Sequence, residues 1–281
     1  MVTAFKVDFA SVVNDLGEGV RHHSFSAIST FAEICQLQYR FKYIDRLPQE
    51  QIGTPLVFGS AMNAALVSID EDLAKGRPPR ADVAYQLLRS HIEKAFANRF
   101  VPVVSTHGET LEDLSAKGRK MIDFYVENLP TDEVPLEIPR RFTVPILDEK
   151  GVALPRPLVG ELDRVVKTED GRIGIVDWKT SSARWSGDRI AKDDQATAYL
   201  LAGEFVLEQK PAFFRYDLLL KTVKPAIERY YVERTEREMR RFVKKVSELD
   251  KAIQAGAFLP NDRSFACPTC PFRNACSKWQ D

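Results

Sequence analysis

Between Gly160 and Thr180 the chain reads GELDRVVKTEDGRIGIVDWKT, a run that allows little besides two strands joined by a tight turn. Val165, Val166, Ile173, Ile175 and Val176 are β-branched, and Glu169-Asp170-Gly171 carries turn chemistry. A three-residue hairpin loop puts its last residue in the left-handed region, where glycine sits without steric cost. That loop sets position 168 opposite 172. Stepping back along both strands brings Asp163 opposite Asp177, and cross-strand partners share a face. Lys179, two residues beyond Asp177, joins them by strand alternation. One hairpin is therefore expected to gather two carboxylates and an ammonium.

Such a patch suits a hard divalent cation acting on a phosphodiester. Mg²⁺ takes carboxylate oxygens, keeps some of its waters and leaves room for phosphate. The cation polarises a phosphoryl oxygen, and the lysine can orient or deprotonate an attacking water. The plain alternative is a surface hairpin with an Asp–Lys pair.

Asp163, Asp177-Trp178-Lys179 and Gln195-Ala-Thr-Ala-Tyr199 together resemble, in order and spacing, the motif series of the RecB-type PD-(D/E)XK nucleases. The resemblance implies an α/β, restriction-endonuclease-like core: a mixed central β-sheet flanked by helices, with an N-terminal helical part. It implies a Mg²⁺- or Mn²⁺-dependent deoxyribonuclease, an exonuclease on single-stranded DNA or DNA ends in recombination, repair or phage DNA processing. Asp163 and Asp177 would hold the cation with the Trp178 carbonyl, and Lys179 would assist the nucleophile. Gln195 and Tyr199 are four apart, hence on one helix face, and would position water or phosphate. Glu137 lies where related nucleases often carry an acid on the first core strand; a surface glutamate is its alternative.

Gly59-Ser-Ala-Met-Asn63 falls where the family usually has Gly-x-x-x-His. An amide oxygen there replaces the usual imidazole and can still ligate a hard cation. The departure keeps a second reading open, a DNA-binding or structural subunit with weakened catalysis. Retention of Asp163, Asp177, Lys179, Gln195 and Tyr199 together argues against it.

The tail carries a second signal, Cys267-Pro-Thr-Cys270-Pro-Phe-Arg-Asn-Ala-Cys276, and Cys35 is the remaining cysteine of the chain. This spacing is a poor disulfide framework and a good soft-metal site. Four thiolates suit Zn²⁺ or an iron–sulfur cluster, and on chemistry alone zinc comes first. The resemblance reverses that order. One early cysteine with a C-terminal Cys-x-x-Cys-x5-Cys is the layout of the AddB-like and CRISPR-adaptation branches, which implies a 4Fe-4S cluster stapling the two ends of the fold.

At 281 residues, 44% hydrophobic and 28% charged, the chain has material for one sizeable core and at most two lobes. Forty basic residues balance forty acidic ones, which counts against a broad polyanion-binding surface and leaves room for a local basic groove. No apolar run reaches the ~18–20 residues of a membrane span, and Met1-Val-Thr-Ala-Phe-Lys6 lacks a signal-peptide core. A cytoplasmic location, reduced cysteines and no membrane partner are expected. DNA is the expected partner; a helicase or recombination partner is left unidentified.

Residues 1–23 read as an extension and 24–281 as a single nuclease domain. Ser26 is the expected cap of a first helix with Cys35 on its apolar face, and His22 and His23 are expected in solvent. A helix over 56–75 precedes a helical cap at about 76–130, with helices at 81–99 and 109–129. His91 and His107 have no partner at ligand spacing and read as structural or solvated. The catalytic core spans about 131–233, with Asp188 as a cap for the helix bearing Gln195 and with strands at 213–221 and 227–232. The part from 234 to 281 holds an amphipathic helix and the cysteines.

Overall fold

The computed structural model describes residues 22–279 apart from 106, 138 and 139, and the side chain of Glu137 also lies outside the described residues. Nearly all of the expected N-terminal extension therefore lies outside them too. The strands are β1 (His23–Ser24), β2 (Ile52–Gly53), β3 (Val103–Val104), β4 (Glu133–Glu137), β5 (Arg140–Val144), β6 (Leu158–Leu162), β7 (Arg164–Thr168), β8 (Ile173–Ser181), β9 (Phe213–Leu220) and β10 (Ala226–Val232). The α-helices are α1 (Phe25–Ser29), α2 (Gln36–Tyr39), α3 (Thr54–Ala74), α4 (Ala81–Ala97), α5 (Leu111–Glu127), α6 (Gly187–Lys192), α7 (Asp194–Val206), α8 (Glu236–Gln254) and α9 (Arg273–Ser277).

The hairpin forms in the expected register. Arg164 pairs with Val176, and the ladder runs on to Lys167 and Ile173. Thr168 N donates to Arg172 O at 2.9 Å, and Gly171 takes φ +85° at the turn. The first strand, however, does not run straight back to Gly160. It breaks at Asp163, and β6 leaves for a second sheet of order β1-β6-β5. The Asp163 carboxylate accepts the Trp178 N–H at 3.1 Å, a side-chain bond that competes with the ladder where the chain turns out.

The central sheet has the order β10-β9-β8-β7-β4. β8 and β9 are parallel and joined through α6 and α7, whereas the other pairs are antiparallel, so the sheet is mixed. Alternation along β8 and β9 divides the core. Trp178 and Leu219 pack with Phe58, Met62, Leu88 and Tyr125 of α3, α4 and α5. Ile175, Phe214, Tyr216 and Leu218 meet α7, α8 and the smaller sheet. The α/β architecture is the expected one, a mixed sheet flanked by helices. No helix among the described residues is long and apolar enough to cross a membrane.

Local chemistry corrects four expectations. Ser24, not Ser26, caps α1, its Oγ accepting Ala27 N at 3.1 Å. The helix then widens into a π turn over Thr30–Ile34 and stops at Cys35, whose φ of −168° is extended backbone; the cysteine is not on a continuous apolar stripe. Asp188 caps nothing and pairs with Lys192 one turn on, while Ser186 caps α6 and Asp193 caps α7. His22 and the lone His91 and His107 are exposed, but His23 is 0% exposed, its Nε2 lying 3.0 Å from Asp250 Oδ1. A histidine beside an exposed one gives no sign in sequence that an acid 227 positions away covers it.

Candidate active site

β8 is where the site begins, because its alternation aims Asp177 and Lys179 at α7 while Trp178 points to α3. Asp177 is 1% exposed. Its Oδ2 forms an ion pair with Lys179 Nζ, and its Oδ1 accepts Gln195 Nε2 at 2.8 Å. Gln195 is placed by the start of α7, where Asp193 Oδ1 accepts its backbone N–H at 2.8 Å. Tyr199, one turn along the same helix, hydrogen-bonds Gln195 through its hydroxyl. Its ring meets Phe142 and Phe214 edge-on, with centroids 5.9 Å and 6.3 Å away. Tyr199, Gln195 and Asp177 thus form a line ending at the carboxylate.

Asp163 reaches the same place from the break between the sheets, held by Trp178 N–H and by the side chain of Asn63. Asn63, a hundred positions away in sequence, is therefore at the site, bonded to a carboxylate. The structure pairs the backbone of Glu137 with Val165 at the end of β4, past a bulge; its side chain is outside the described residues. Trp178 is fixed by its indole N–H, which donates to Tyr125 Oη at 3.2 Å. Two groups near the site had no sequence signal: Glu161, which pairs with Arg141, and the capping Asp193.

The electrostatics follow from crowding two acids in a desolvated place. Burial pushes the Asp177 carboxyl up to about 7, Lys179 pulling against it and Asp163 adding to it. Burial likewise raises Asp163, against Lys179, the Trp178 N–H and Asn63. Burial alone would lower Lys179, but Asp177 and Asp163 overcome it and hold the ammonium charged. Burial, then the two aspartates, keeps the Tyr199 phenol protonated. Two buried acids with one lysine leave an excess negative charge, which a divalent cation on an oxygen donor set would relieve. Among the described residues no group of three or more His, Cys, Asp or Glu side chains is assembled to hold an ion.

Behind the site lies an ionic network that the sequence reading missed. Arg164, next to Asp163 and 1% exposed, turns to the opposite face and pairs with Asp70 of α3 and with Glu133 of β4, the latter at 2.6 Å. Glu133 also takes Arg215 of β9 at 2.7 Å, and Arg215 meets Asp217 at 2.6 Å. Charges at alternate positions inside the apolar run Phe213–Leu220 are the signal that could have revealed it.

The four cysteines border one hollow. Cys35, Cys267, Cys270 and Cys276 all line one cavity of about 650 Å³, with Leu37, Phe41 and Phe272. Burial first, and then the neighbouring thiols, push Cys270 and Cys276 above the ordinary thiol range. Four thiols lining one hollow are suitable donors for a soft metal centre, although among the described residues they do not form a group that could hold an ion.

A family model for the PD-(D/E)XK nuclease superfamily matches residues 22–277. No curated protein is similar enough to count as a match. A solved structure from Eubacterium rectale, named "Putative exonuclease", superimposes with TM-score 0.54 at 13% identity, covering 90% of this chain and 88% of that one. At that identity the likeness concerns the fold. The structure of SSO0001 covers 89% of this chain and 94% of its own at 12% identity, with a TM-score of 0.31, too weak a likeness to bear on the fold.

Proposed function

The chain belongs to the PD-(D/E)XK nuclease superfamily, and from that premise we propose a RecB-like, Mg²⁺- or Mn²⁺-dependent deoxyribonuclease, an exonuclease on single-stranded DNA or DNA ends. The observation that carries this reading is Asp177 clasped between Lys179 and Gln195, with Asp163 brought to the same place by Trp178 and Asn63. Asp163 and Asp177 would hold the cation, with the Trp178 carbonyl, the Asn63 amide oxygen and Glu137 as further oxygen donors. Bound there, the cation would supply Lewis acidity toward a phosphoryl oxygen and an acidified water.

The protein's own groups do the rest. Lys179 keeps its proton beside two acids, so of the two roles open to it, orienting water and offsetting phosphate charge is favoured over acting as a base. Gln195 fixes the rotamer of Asp177 by its amide N–H. Tyr199, held protonated, has a hydroxyl to offer water or a phosphate oxygen.

The cysteines we assign to a 4Fe-4S cluster with a structural role. The support is the motif itself, one early cysteine with a C-terminal Cys-x-x-Cys-x5-Cys, and the single hollow that all four cysteines line. Residues 24–281 then form one nuclease domain, with α4 and α5 as its cap, in a cytoplasm that keeps thiols reduced.

Anaerobically purified protein incubated with Mn²⁺ and DNA labelled at either end tests the reading. Expected is stepwise release of short products from ends, faster on single strands. Product formation equal in wild type and Asp177→Ala, or none in either, would overturn it.

A further inference from the structure

At the far end of β9 the chain continues into Lys221, whose backbone N–H donates to Ser181 O at 2.8 Å. Ser181 is two residues past Lys179 on β8, about 7 Å along a strand. Lys221 and Lys179 thus leave the same end of the two central, parallel strands, Lys179 on the face of α7 and Lys221 on the face of α3. Lys221 is half-buried, and its Nζ stands 5.7 Å from the centroid of the Phe58 ring of α3. The next residue, Gly59, presents open space: a Cβ built there would meet only Thr180 Oγ1, at 3.9 Å. One turn further along α3 is Asn63, bonded to Asp163. Gly59 and Asn63 share a helix face, and Phe58, which carries Lys221, is the residue before Gly59, so about one and a half turns of α3 separate Lys221's contact from Asn63.

The charge near Lys221 does not balance locally. Glu109 is the acid closest to it in influence, yet both Glu109 oxygens are engaged, by Lys117 Nζ at 2.6 Å and by Thr54 Oγ1 at 3.0 Å. Two lysines share one carboxylate. Among the described residues Lys221 makes no ion pair, its side chain having only the Phe58 ring. A half-buried ammonium without a contact anion is costly. Burial accordingly lowers its pKa, with Glu109 opposing and Lys117 reinforcing the shift.

We propose that Lys221 is a phosphate subsite, its ammonium holding a phosphate of the substrate strand close to the one cleaved at Asp163 and Asp177. The ligand class is a nucleic-acid phosphate, either an internal diester or a terminal monoester, and the proposal rests on the nuclease reading above. Lys221 is a binding residue, distinct from the groups around Asp177. A lysine that only packs on Phe58 would leave the response of binding to salt unchanged.

The test measures binding of a labelled single-stranded oligonucleotide to wild type, Lys221→Gln and Lys221→Arg over a range of KCl, without divalent cation, and the KM and kcat of cleavage with it. Lys221→Gln should weaken binding about three- to tenfold at low salt and reduce the slope of log K against log salt by about 0.7, the value for one phosphate on a single strand. KM should rise with kcat held, and Lys221→Arg should restore both. Oligonucleotides with a 5′-phosphate or a 5′-hydroxyl separate the two sources: equal losses indicate an internal diester, and loss with the 5′-phosphate alone indicates the terminus. Superimposed slopes for wild type and Lys221→Gln overturn the subsite, even if the variant melts earlier. So does wild type that binds no oligonucleotide. Wild type that binds with the expected slope and never cleaves would instead count against the nuclease reading.

Discussion

Lys179→Met keeps the aliphatic stem and removes the cation that Asp163 and Asp177 both face. Cleavage should fall at least about a hundredfold, because charge offset near the reacting phosphate is lost; a melting curve alongside product formation separates this from the stability cost of leaving the buried Asp177 without its partner. Asn63 makes a finer prediction. Asn63→Ala should raise the Mg²⁺ concentration for half-maximal cleavage about tenfold, since it frees the Asp163 carboxylate it now holds. Asn63→His should favour Mn²⁺, which accepts nitrogen more readily than Mg²⁺. Superimposed metal titrations for wild type and both variants would leave Asn63 with a purely structural role. Residues of the hairpin were legible in sequence because turn length and alternation fix them locally. Gln195 and Tyr199 were legible as a helical pair, but their approach to Asp177 depends on the crossover from β8 to β9. Asn63 came from the family pattern alone, and no local rule ties it to Asp163. Glu161 and Asp193 look like any surface acid until the fold places them.

Strands β4, β7 and β9 and helix α3 are tied by Asp70, Glu133, Arg164, Arg215 and Asp217 rather than by apolar contact at that layer. Removing one member strands the others without solvent, so Arg215→Met should cost about 3–5 kcal/mol, read by urea unfolding. Asp70 gives the layer a pH dependence. Burial raises its carboxyl from 3.8 to about 6, against the pull of Arg164. The folded state thus keeps a proton that the unfolded chain releases, and this contribution is full below about pH 4 and lost as pH rises through 6. Relative to wild type, Asp70→Asn should gain stability between pH 4 and 7, by up to about 3 kcal/mol; parallel pH profiles would deny Asp70 that part. Such a layer is hard to read in advance. The strands themselves were visible from β-branched runs, and α4 and α5 from periodicity. Apart from the alternating Arg215 and Asp217 of β9, which charged residue turns inward was not, since Asp70, Glu133 and Arg164 lie on three further elements. The break at Asp163 was hidden for a similar reason: the run from Gly160 has the composition of one continuous strand.

Across the whole molecule the two ends of the described chain are closed on each other. Asn261 Nδ2 donates to Ile34 O, 227 positions apart, Leu37 N donates to Leu259 O, and Glu50 N donates to Pro271 O. His23 rests on Asp250. The cysteine cavity sits within this seam. Protein purified without oxygen should be brown, with about four irons per chain. Cys270→Ser should lose the iron and melt at lower temperature, because metal binding and folding are coupled; a colourless wild type carrying one zinc would reverse the choice of metal. The cysteine spacing made this site legible, whereas the seam of backbone bonds around it left no mark in composition. The seam also sets an order of events during synthesis. A ribosome adds about 5–20 residues per second, so the segment around Cys35 waits on the order of ten seconds or more for the residues that complete it. Through that interval its backbone donors and acceptors stand open to water or to a chaperone, and a chain cut short before Asp250 leaves them so permanently. Synthesis of the stretch from Asp250 to Pro271, rather than emergence of α1, closes the seam.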